Sequence, residues 1–235
     1  MQTRTLDALV TDEVDFMRSV LPLAGADVVE LGCGKAEVAR KLVERGLVKR
    51  VTALEVDRIQ HQLNCAGPVQ PGIEFCAGGA DDIPLPDACC DIAIMLKSLH
   101  HVPVARMDRA LAEIQRVLRP GGYLYVSEPV YAGPFNDIIR LFHDEGAVRA
   151  AAYAALERVV AEGGLQDAGE TAFDMPLAFA DFDDFFSKIV RVTHSELVLT
   201  GEALVEVRRR FARHVTSDGA HFVRPMRVNV LRKTG

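Results

Sequence analysis

Two glycines and one acid in this sequence have the types and spacing needed to hold a nucleoside ligand. Gly32 and Gly34 follow an apolar run at 26–31, and helical spacing of apolar residues begins at 35–45. Such a turn lets a ligand approach the backbone, and the start of the helix supplies unpaired N–H groups. Glu55 ends the next apolar run, where a carboxylate could accept both hydroxyls of a ribose. The alternative is an ordinary strand-to-helix turn followed by a surface acid.

Two further acids bear on which ligand this turn would take. A dinucleotide-binding turn requires a third glycine at position 37, where this chain has Glu37. Near the start of a helix, Glu37 would repel a pyrophosphate. A sulfonium ligand, which carries a positive centre and an ammonium group, meets no such repulsion. Glu30 precedes the turn and could bind that ammonium directly or through a water.

Two adjacent histidines and a third acid are the candidates for proton transfer. His100 and His101 follow the apolar run at 91–96, and Glu128 ends the run at 123–127. The carboxyl ends of parallel strands are where ligands bind in open α/β sheets. A histidine near its ordinary pKa of about 6.5 can accept a proton at neutral pH. The alternative is that one or both histidines only pack structurally.

The segment Glu30-Leu31-Gly32-Cys33-Gly34 resembles the first motif of class I S-adenosylmethionine-dependent methyltransferases. Residues 80–102 resemble the adenine loop and fourth strand of that family, and residues 111–130 resemble its helix, Pro-Gly-Gly turn and fifth strand. The small-molecule branch of the family, which is type 11-like, is the most similar. The resemblance covers residues from about 26 to 130.

The resemblance implies S-adenosylmethionine as the cofactor and methyl transfer to a small molecule as the reaction. It implies that His100 or His101 is the base and that Glu128 orients it. Two positions depart from the family pattern: Ala36 replaces a common third glycine and fits if its φ is negative, and Gly79 replaces the Asp that opens the adenine loop. The residues expected to bind the cofactor are Glu30, Gly32, Cys33, Gly34, Glu55, Val56, Ala80, Asp81 and Lys97.

The elements that must position these residues alternate between strand and helix. Apolar spacing predicts a helix at 6–20, strands at 26–31, 51–55, 73–76, 91–96 and 123–127, and a helix at 104–118. Residues 134–163 are predicted to be helical, 164–180 a loop, 189–193 a strand, 201–215 a helix and 226–231 a strand. We therefore expect one α/β domain over 1–235 with a Rossmann-like, seven-stranded, mostly parallel sheet and helices on both faces.

A helical cap insertion is expected over 131–187, above the carboxyl end of the sheet. Tyr131, His143 and Met17 are the residues expected to contact the acceptor. The insertion is acidic, which favours a neutral or cationic acceptor because its field would repel polyanions. It has three basic residues, Arg140, Arg149 and Arg158, against eleven acidic ones, Asp137, Asp144, Glu145, Glu157, Glu162, Asp167, Glu170, Asp174, Asp181, Asp183 and Asp184.

Composition limits the other classes of function. The chain has 235 residues and a net charge of −6, it lacks tryptophan, and only 6% of its residues are aromatic, which argues against nucleic acid as a partner. No apolar run reaches the length of a membrane span or of a signal-peptide core. The five cysteines show no CxxC pair, so we expect reduced thiols, no metal and a cytoplasmic location.

The oligomeric state is expected to be monomer or homodimer. Two alternatives to small-molecule methylation remain open at this point. One is an RNA or protein methyltransferase, which a basic groove beside the cofactor would support. The other is a non-catalytic partner subunit that keeps only the cofactor fold, and a pocket reaching the methyl group would argue against it.

Overall fold

The computed structural model describes residues 3–190 and 199–234. Within those residues it contains nine strands: β1 Thr3–Leu9, β2 Asp27–Leu31, β3 Arg50–Glu55, β4 Ile73–Ala77, β5 Cys90–Leu96, β6 Leu118–Pro129, β7 Leu165–Phe179, β8 Val215–Thr216 and β9 Gly219–Lys233. The α-helices are α1 Glu13–Val20, α2 Glu37–Glu44, α3 Arg58–Ala66, α4 Met107–Val117, α5 Gly133–Ile139, α6 Gly146–Ala161, α7 Phe182–Phe185 and α8 Gly201–Phe211.

All nine strands belong to one sheet in the order β1-β7-β9-β6-β5-β2-β3-β4, with β8 paired to β9. The strands from β6 to β4 run parallel, as does β1 beside β7, and only β9 and β8 introduce antiparallel pairings. The predicted α/β class with a mostly parallel sheet is confirmed. The chain leaves β2 towards β3 on one side and returns at β5 on the other, so the topological switch point lies between β2 and β5.

The prediction of a helix over 6–20 is wrong in its first half. Residues Thr3–Leu9 form β1, which pairs in parallel with β7, and α1 begins only at Glu13. Asp12 starts the helix because its side chain accepts the Val14 N–H at 3.0 Å. The apolar residues before Asp12 fit a strand as well as a helix, and the pairing with β7 decides between them.

The prediction of a loop over 164–180 and of a strand over 189–193 is also wrong. Residues 165–179 form β7, which pairs with β9 along its length, and Gly169 lies at the bulge in that pairing with φ 143°. Pro176 is tolerated because β1 pairs with β7 only as far as Asp174, so Pro176 lies at an edge. Residues 189–190 belong to a π-helical turn, Phe186–Val190, and residues 191–193 lie outside the described part.

The helix predicted over 134–163 is interrupted at residues 140–145. Its second part, α6, packs on one face of the sheet, where Ala152, Ala155 and Leu156 join the core beneath α4. A second core cluster on the opposite face lies beneath α1 and α2. A third cluster, rich in phenylalanine, joins α5, α7 and α8 to the C-terminal half of β7 and the N-terminal half of β9. The helical cap expected over 131–187 is therefore not helical throughout, because residues 165–179 belong to the sheet. The third cluster lies beyond the carboxyl edge of the sheet.

The predicted helices at 104–118 and 201–215 are confirmed in place as α4 and α8, each flanked by one 3₁₀ turn. The predicted strand at 226–231 is confirmed within the longer β9. Among residues 3–190 and 199–234, no helix combines the length and apolar character that a membrane crossing requires.

Candidate active site

The Gly32 turn connects β2 to α2 at the topological switch point. Gly32 has φ +71°, and a Cβ added there would lie 2.9 Å from the Ser98 Cβ, which follows β5. The Ser98 hydroxyl in turn donates to the Leu31 carbonyl at 2.8 Å. Only glycine therefore fits at position 32, and its lack of a side chain brings the ends of β2 and β5 together beside an open cavity.

Glu55 and Asn64 hold the second glycine of the turn. The Glu55 carboxylate accepts the Gly34 N–H at 2.7 Å and the Asp57 N–H at 2.9 Å, and the Asn64 side-chain amide donates to the Gly34 carbonyl at 2.7 Å. Each carboxylate oxygen keeps a further lone pair after these bonds. Glu55 is therefore held in place by the turn while it retains acceptor capacity for two ligand hydroxyls.

Two residues beside the cavity have left-handed backbone conformations that disfavour side chains. Ala36, at the start of α2, has φ +57°, and Lys97, directly after β5, has φ +54°. The expectation that Ala36 fits with a negative φ is wrong, because Ala36 has the left-handed conformation. Each such residue costs about 1–2 kcal/mol, a strain typical of binding sites.

Glu30 is buried at the floor of the cavity, where its Oε2 accepts the Ala39 N–H at 3.1 Å. Burial raises the pKa of Glu30 to about 8, against the opposing influence of that hydrogen bond and of the Lys97 charge. In the absence of a ligand the group therefore carries a proton at neutral pH. A ligand ammonium beside it would favour the ionised form.

A single cavity of about 610 Å³ extends from the glycine turn to the histidine pair. Its lining includes predicted cofactor-binding and catalytic residues at the carboxyl ends of β2 and β5. It also includes one residue predicted to contact the acceptor. The predicted residues that line it are Glu30, Gly32, Cys33, Gly34, Lys97, His100, His101 and His143.

The other predicted residues lie outside the cavity lining. Met17 is wholly buried in the core beneath the sheet, and the Val56 side chain is 71% exposed. Tyr131 is 38% exposed and packs against Gly146. Two of the remaining residues contact the lining: Glu55 bonds to Gly34, and Glu128 lies behind His100. In the predicted adenine loop, Ala80 is buried in the core and Asp81 pairs with Arg106.

Glu128 and Glu145 hold the His100 ring from opposite sides. The His100 Nδ1 forms a short hydrogen bond with the Glu128 carboxylate, whose other oxygen accepts the Leu99 N–H at 2.9 Å. The His100 Nε2 lies 3.5 Å from Glu145 Oε1. Burial opposes a charge on this ring, but the two carboxylates outweigh it and raise the pKa of His100 to about 9. The free protein therefore holds His100 as an imidazolium, with its ring orientation fixed.

Glu145 links His100 to His143. The sequence had indicated Glu145 only as one of the acids of the predicted cap. It lies in the break between α5 and α6, where its Oε1 is 2.9 Å from His143 Nε2 and its Oε2 is 2.5 Å from Arg149 Nη2. Burial opposes its charge, but His100 and Arg149 hold the pKa of Glu145 well below its usual range. The one local signal for the break was Gly146, since a glycine inside a helical pattern often marks an interruption.

The same histidine cluster has the composition of a metal site. One ligand atom from each of His100, His101 and Glu145 lies within 4.8 Å of the others. The expectation of no metal rested on spacing along the chain, and these residues come together from separate segments. The two histidine rings also lie in contact, with centroids 4.2 Å apart and planes tilted by 43°.

The charge of the cavity wall differs from the charge of the predicted cap. Of the eleven acids counted over 131–187, only Glu145 lines the cavity. Five basic side chains line it, most of them from outside that segment: Lys35, Lys97, Arg149, Lys188 and Arg224. Arg224 lies on β9, where no local sequence signal distinguishes it from a surface residue of a strand.

Comparison with known proteins identifies one part of the chain. Residues 29–126 match a family described as "Methyltransferase domain". The chain is 37% identical over 105 residues to an uncharacterized methyltransferase of Mycobacterium bovis, which covers 45% of this chain and 40% of that protein. It is 31% identical over 134 residues, 54% of this chain, to 27-O-demethylrifamycin SV methyltransferase of Amycolatopsis mediterranei, covering 47% of that protein.

A third relative, fatty-acid O-methyltransferase of Mycolicibacterium smegmatis, is 34% identical over 121 residues, which cover 48% of this chain and 40% of that protein. The matched segment is thus less than half the length of each of these relatives. Among solved structures, the BH2331 protein of Bacillus halodurans C-125 superimposes with a TM-score of 0.67 at 18% identity, over 95% of this chain and 99% of that chain. The [4+2]-cyclase SpnF superimposes with a TM-score of 0.58, also at 18% identity, over 94% and 80%. At these identities the likeness shows the fold alone.

Proposed function

We propose that this chain, whose residues 29–126 form a class I S-adenosylmethionine-dependent methyltransferase domain, transfers a methyl group from that cofactor to a small-molecule acceptor. The observation that supports the proposal is the continuity of the cavity from the Gly32 turn to His100. A cofactor at the turn and an acceptor beside the histidine would share one continuous space.

The residues present fit S-adenosylmethionine. The open side of the Gly32–Gly34 turn leaves room for the ligand, Glu55 keeps acceptor capacity for the ribose hydroxyls, and Glu30 lies where it can face the ammonium. When bound, the cofactor supplies an electrophilic methyl carbon on sulfur. The protein contributes mainly position, because in-line displacement depends on holding the two reacting atoms in contact and in line.

We assign the proton acceptor to His100, oriented by Glu128. The Glu128 bond fixes the ring so that Nε2 faces the cavity side, where Glu145 lies. Such a base, held by a third group, is the usual arrangement for activating a hydroxyl or amine. Since the free imidazole is the active form, the acceptor reacts when His100 has lost its proton. The His101 ring lies tilted against this ring, and His101 is the alternative base.

The named substrates of relatives support a small-molecule acceptor. Two relatives act, by their names, on a demethylrifamycin and on a fatty acid. The sequence expectation of a neutral or cationic acceptor came from the acids at 131–187, but the cavity wall itself carries five basic side chains. We therefore propose a small acceptor and do not restrict it to a neutral or cationic one.

The two alternatives make different predictions for the cavity. A non-catalytic cofactor-binding subunit needs no path from the glycine turn to a base, and an RNA or protein substrate needs an open basic groove. The continuous cavity with its own histidine pair favours catalysis over cofactor binding alone. Its lining carries basic side chains but also apolar ones, among them Phe135, Ile139 and Ile189, and these favour a small molecule over a nucleic acid. The [4+2]-cyclase SpnF shares the fold. The test must therefore show that the product carries a transferred methyl group, and not only that a product forms.

We expect the protein to bind S-adenosylhomocysteine and not NAD, and to methylate a component of a metabolite extract. Incubation with S-adenosylmethionine that carries a labelled methyl group, followed by mass spectrometry, should reveal a product that has gained the label. The label requirement separates methyl transfer from a rearrangement without transfer. Calorimetry with S-adenosylhomocysteine and with NAD provides the binding measurement.

A chelator is the control for the histidine cluster. We expect EDTA to leave the labelled product unchanged, because the proposed reaction draws on the sulfonium and a histidine base. Loss of product with EDTA, restored by a divalent ion, would instead assign His100, His101 and Glu145 to a metal. Binding of NAD in preference to S-adenosylhomocysteine would contradict the proposed function itself.

Cofactor affinity should depend on pH through Glu30. Below pH 8 the free protein holds Glu30 protonated, because burial raises its pKa to about 8. A ligand ammonium favours the carboxylate, so binding releases a proton. Affinity for S-adenosylhomocysteine should therefore rise with pH, by at most about tenfold per unit, and level off above pH 8. Calorimetry at pH 7 in buffers of different ionisation enthalpy measures the proton release.

Two variants separate Glu30 from other groups. Glu30→Gln should abolish the dependence of the measured heat on the buffer. Glu37→Gln removes an acid that also lines the cavity but is exposed, and it should leave the proton release unchanged. Equal proton release in the parent and in Glu30→Gln would exclude Glu30 as the group that faces the ammonium.

A further inference from the structure

Arg224 lines the cavity from β9, and Glu13 attracts its charge from beyond ion-pair distance. Among residues 3–190 and 199–234, the Arg224 guanidinium forms no hydrogen bond or ion pair, and its Nε is buried. Burial lowers the pKa of this group from its ordinary value. Arg224 is partly buried, and a guanidinium nitrogen that is shut off from water without a hydrogen-bond partner is unfavourable, so its presence at a ligand cavity calls for an anion that is supplied from outside.

The neighbours of Arg224 add to its positive charge. Arg149 and Lys97 both line the same cavity, and both interact electrostatically with Arg224. Burial lowers the pKa of Lys97 too, and Arg224 adds repulsion. Arg149 has its terminal nitrogens on Glu145 and Asn136, but its Nε is also buried without a hydrogen-bond partner in the described residues.

Basic side chains outnumber acidic ones along the cavity lining. Five bases line it, Lys35, Lys97, Arg149, Lys188 and Arg224, against three acids, Glu30, Glu37 and Glu145. Of these acids, Glu145 already pairs with Arg149 and His143. A carboxylate on the ligand would offset part of this excess, and it matches the planar donor fork of a guanidinium.

We propose that Arg224, supported by Arg149 and Lys97, binds a carboxylate of the ligand in this cavity. The proposal rests on the proposed function in that the cavity takes cofactor and acceptor. Two sources of the carboxylate have the same chemistry: an acidic acceptor, or the amino-acid end of the cofactor. Apolar side chains, among them Phe135, Ile139 and Ile189, line the same cavity and suit an acceptor with an apolar body.

Two matched ligand pairs distinguish the sources. Decanoate and decanamide, titrated into protein saturated with S-adenosylhomocysteine, differ only in the charge of the acceptor head. S-Adenosylhomocysteine and its decarboxylated analogue differ only in the carboxylate of the cofactor. We expect the parent protein to prefer the acid of one pair at least tenfold, and Arg224→Gln to abolish that preference.

The control variant is Arg213→Gln, which removes an exposed arginine and should keep both preferences. Arg224→Gln should not lower the melting temperature of the free protein, because it removes an unpaired charge. Loss of the decanoate preference assigns the carboxylate to the acceptor, and loss of the S-adenosylhomocysteine preference assigns it to the cofactor. If the parent shows neither preference, or if Arg224→Gln retains the one it shows, the proposal is overturned. Failure of the parent to bind S-adenosylhomocysteine at all would instead refute the proposed function.

Discussion

Replacement of His100 by alanine is expected to lower kcat by about 10²–10⁴-fold, which corresponds to ~3–5 kcal/mol of transition-state stabilisation, with cofactor affinity retained. The reason is that carboxylates fix the His100 ring on both sides, Glu128 at Nδ1 and Glu145 near Nε2. A base acts only when unprotonated. Because the pKa of His100 is raised to about 9, kcat/KM of the parent should rise with pH and level off above about 9. His100→Ala should lose this rise.

Glu128→Gln tests whether Glu128 orients His100. The measurement is the midpoint of the pH profile, which a loss of protein stability alone would not shift. The amide still reaches Leu99 and the ring but no longer stabilises the imidazolium, so the pKa of His100 should fall. The midpoint of the pH profile should therefore move to lower pH while kcat decreases. An unchanged midpoint would separate Glu128 from the base.

His221→Ala is the matched control. His221 is an exposed histidine in β9, near Asp218, and it lies far from His100 and His101 in sequence. It should keep the activity and the pH profile of the parent. His101→Ala tests the neighbouring ring. Full activity in both His100→Ala and His101→Ala would contradict a histidine base and favour an acceptor that is already deprotonated.

The cofactor half of the site could be predicted from the sequence because its residues are close along the chain or end adjacent strands. Gly32 and Gly34 lie in one turn, and Glu55 ends the strand next to β2, so the pairing of parallel strands brings the acid to the turn. Asn64 was missed since nothing in the α3 sequence shows which side chain faces the Gly34 carbonyl.

The acceptor half could not be predicted in the same way. Arg224 reaches the cavity from β9, which forms a long antiparallel pair with β7, and the glycines and proline of residues 164–180 conceal β7 as a loop. Glu145 reaches the same cavity from the break between α5 and α6, where a continuous helix was predicted. Met17 shows the opposite error. Its helical spacing was read correctly, but the apolar face of α1 packs on the sheet and not towards a ligand. Contacts between distant segments carry no local pattern that a single sequence displays.

Glu55→Ala is expected to weaken S-adenosylhomocysteine binding by roughly 30- to 150-fold, or about 2–3 kcal/mol, through the loss of two charge-assisted hydrogen bonds to the ribose. The structure adds a second consequence. Glu55 also accepts the Gly34 and Asp57 N–H groups, so alanine would loosen the turn that the cofactor lies against. The affinity loss alone therefore cannot separate ribose contact from support of the turn.

A ligand variant separates the two. The 2′-deoxy analogue of S-adenosylhomocysteine lacks one hydroxyl that Glu55 would accept, so the parent should bind it more weakly than the full ligand, and Glu55→Ala should bind both equally. Asp57→Ala is the matched control. Its side chain caps α3 by accepting the Ile59 N–H at 2.9 Å, so its loss should cost about 0.5–2 kcal/mol of stability without changing the preference for the 2′-hydroxyl. If Glu55→Ala weakens both ligands by the same factor and keeps that preference, Glu55 acts only by holding the Gly34 turn, and the ribose is bound by other groups.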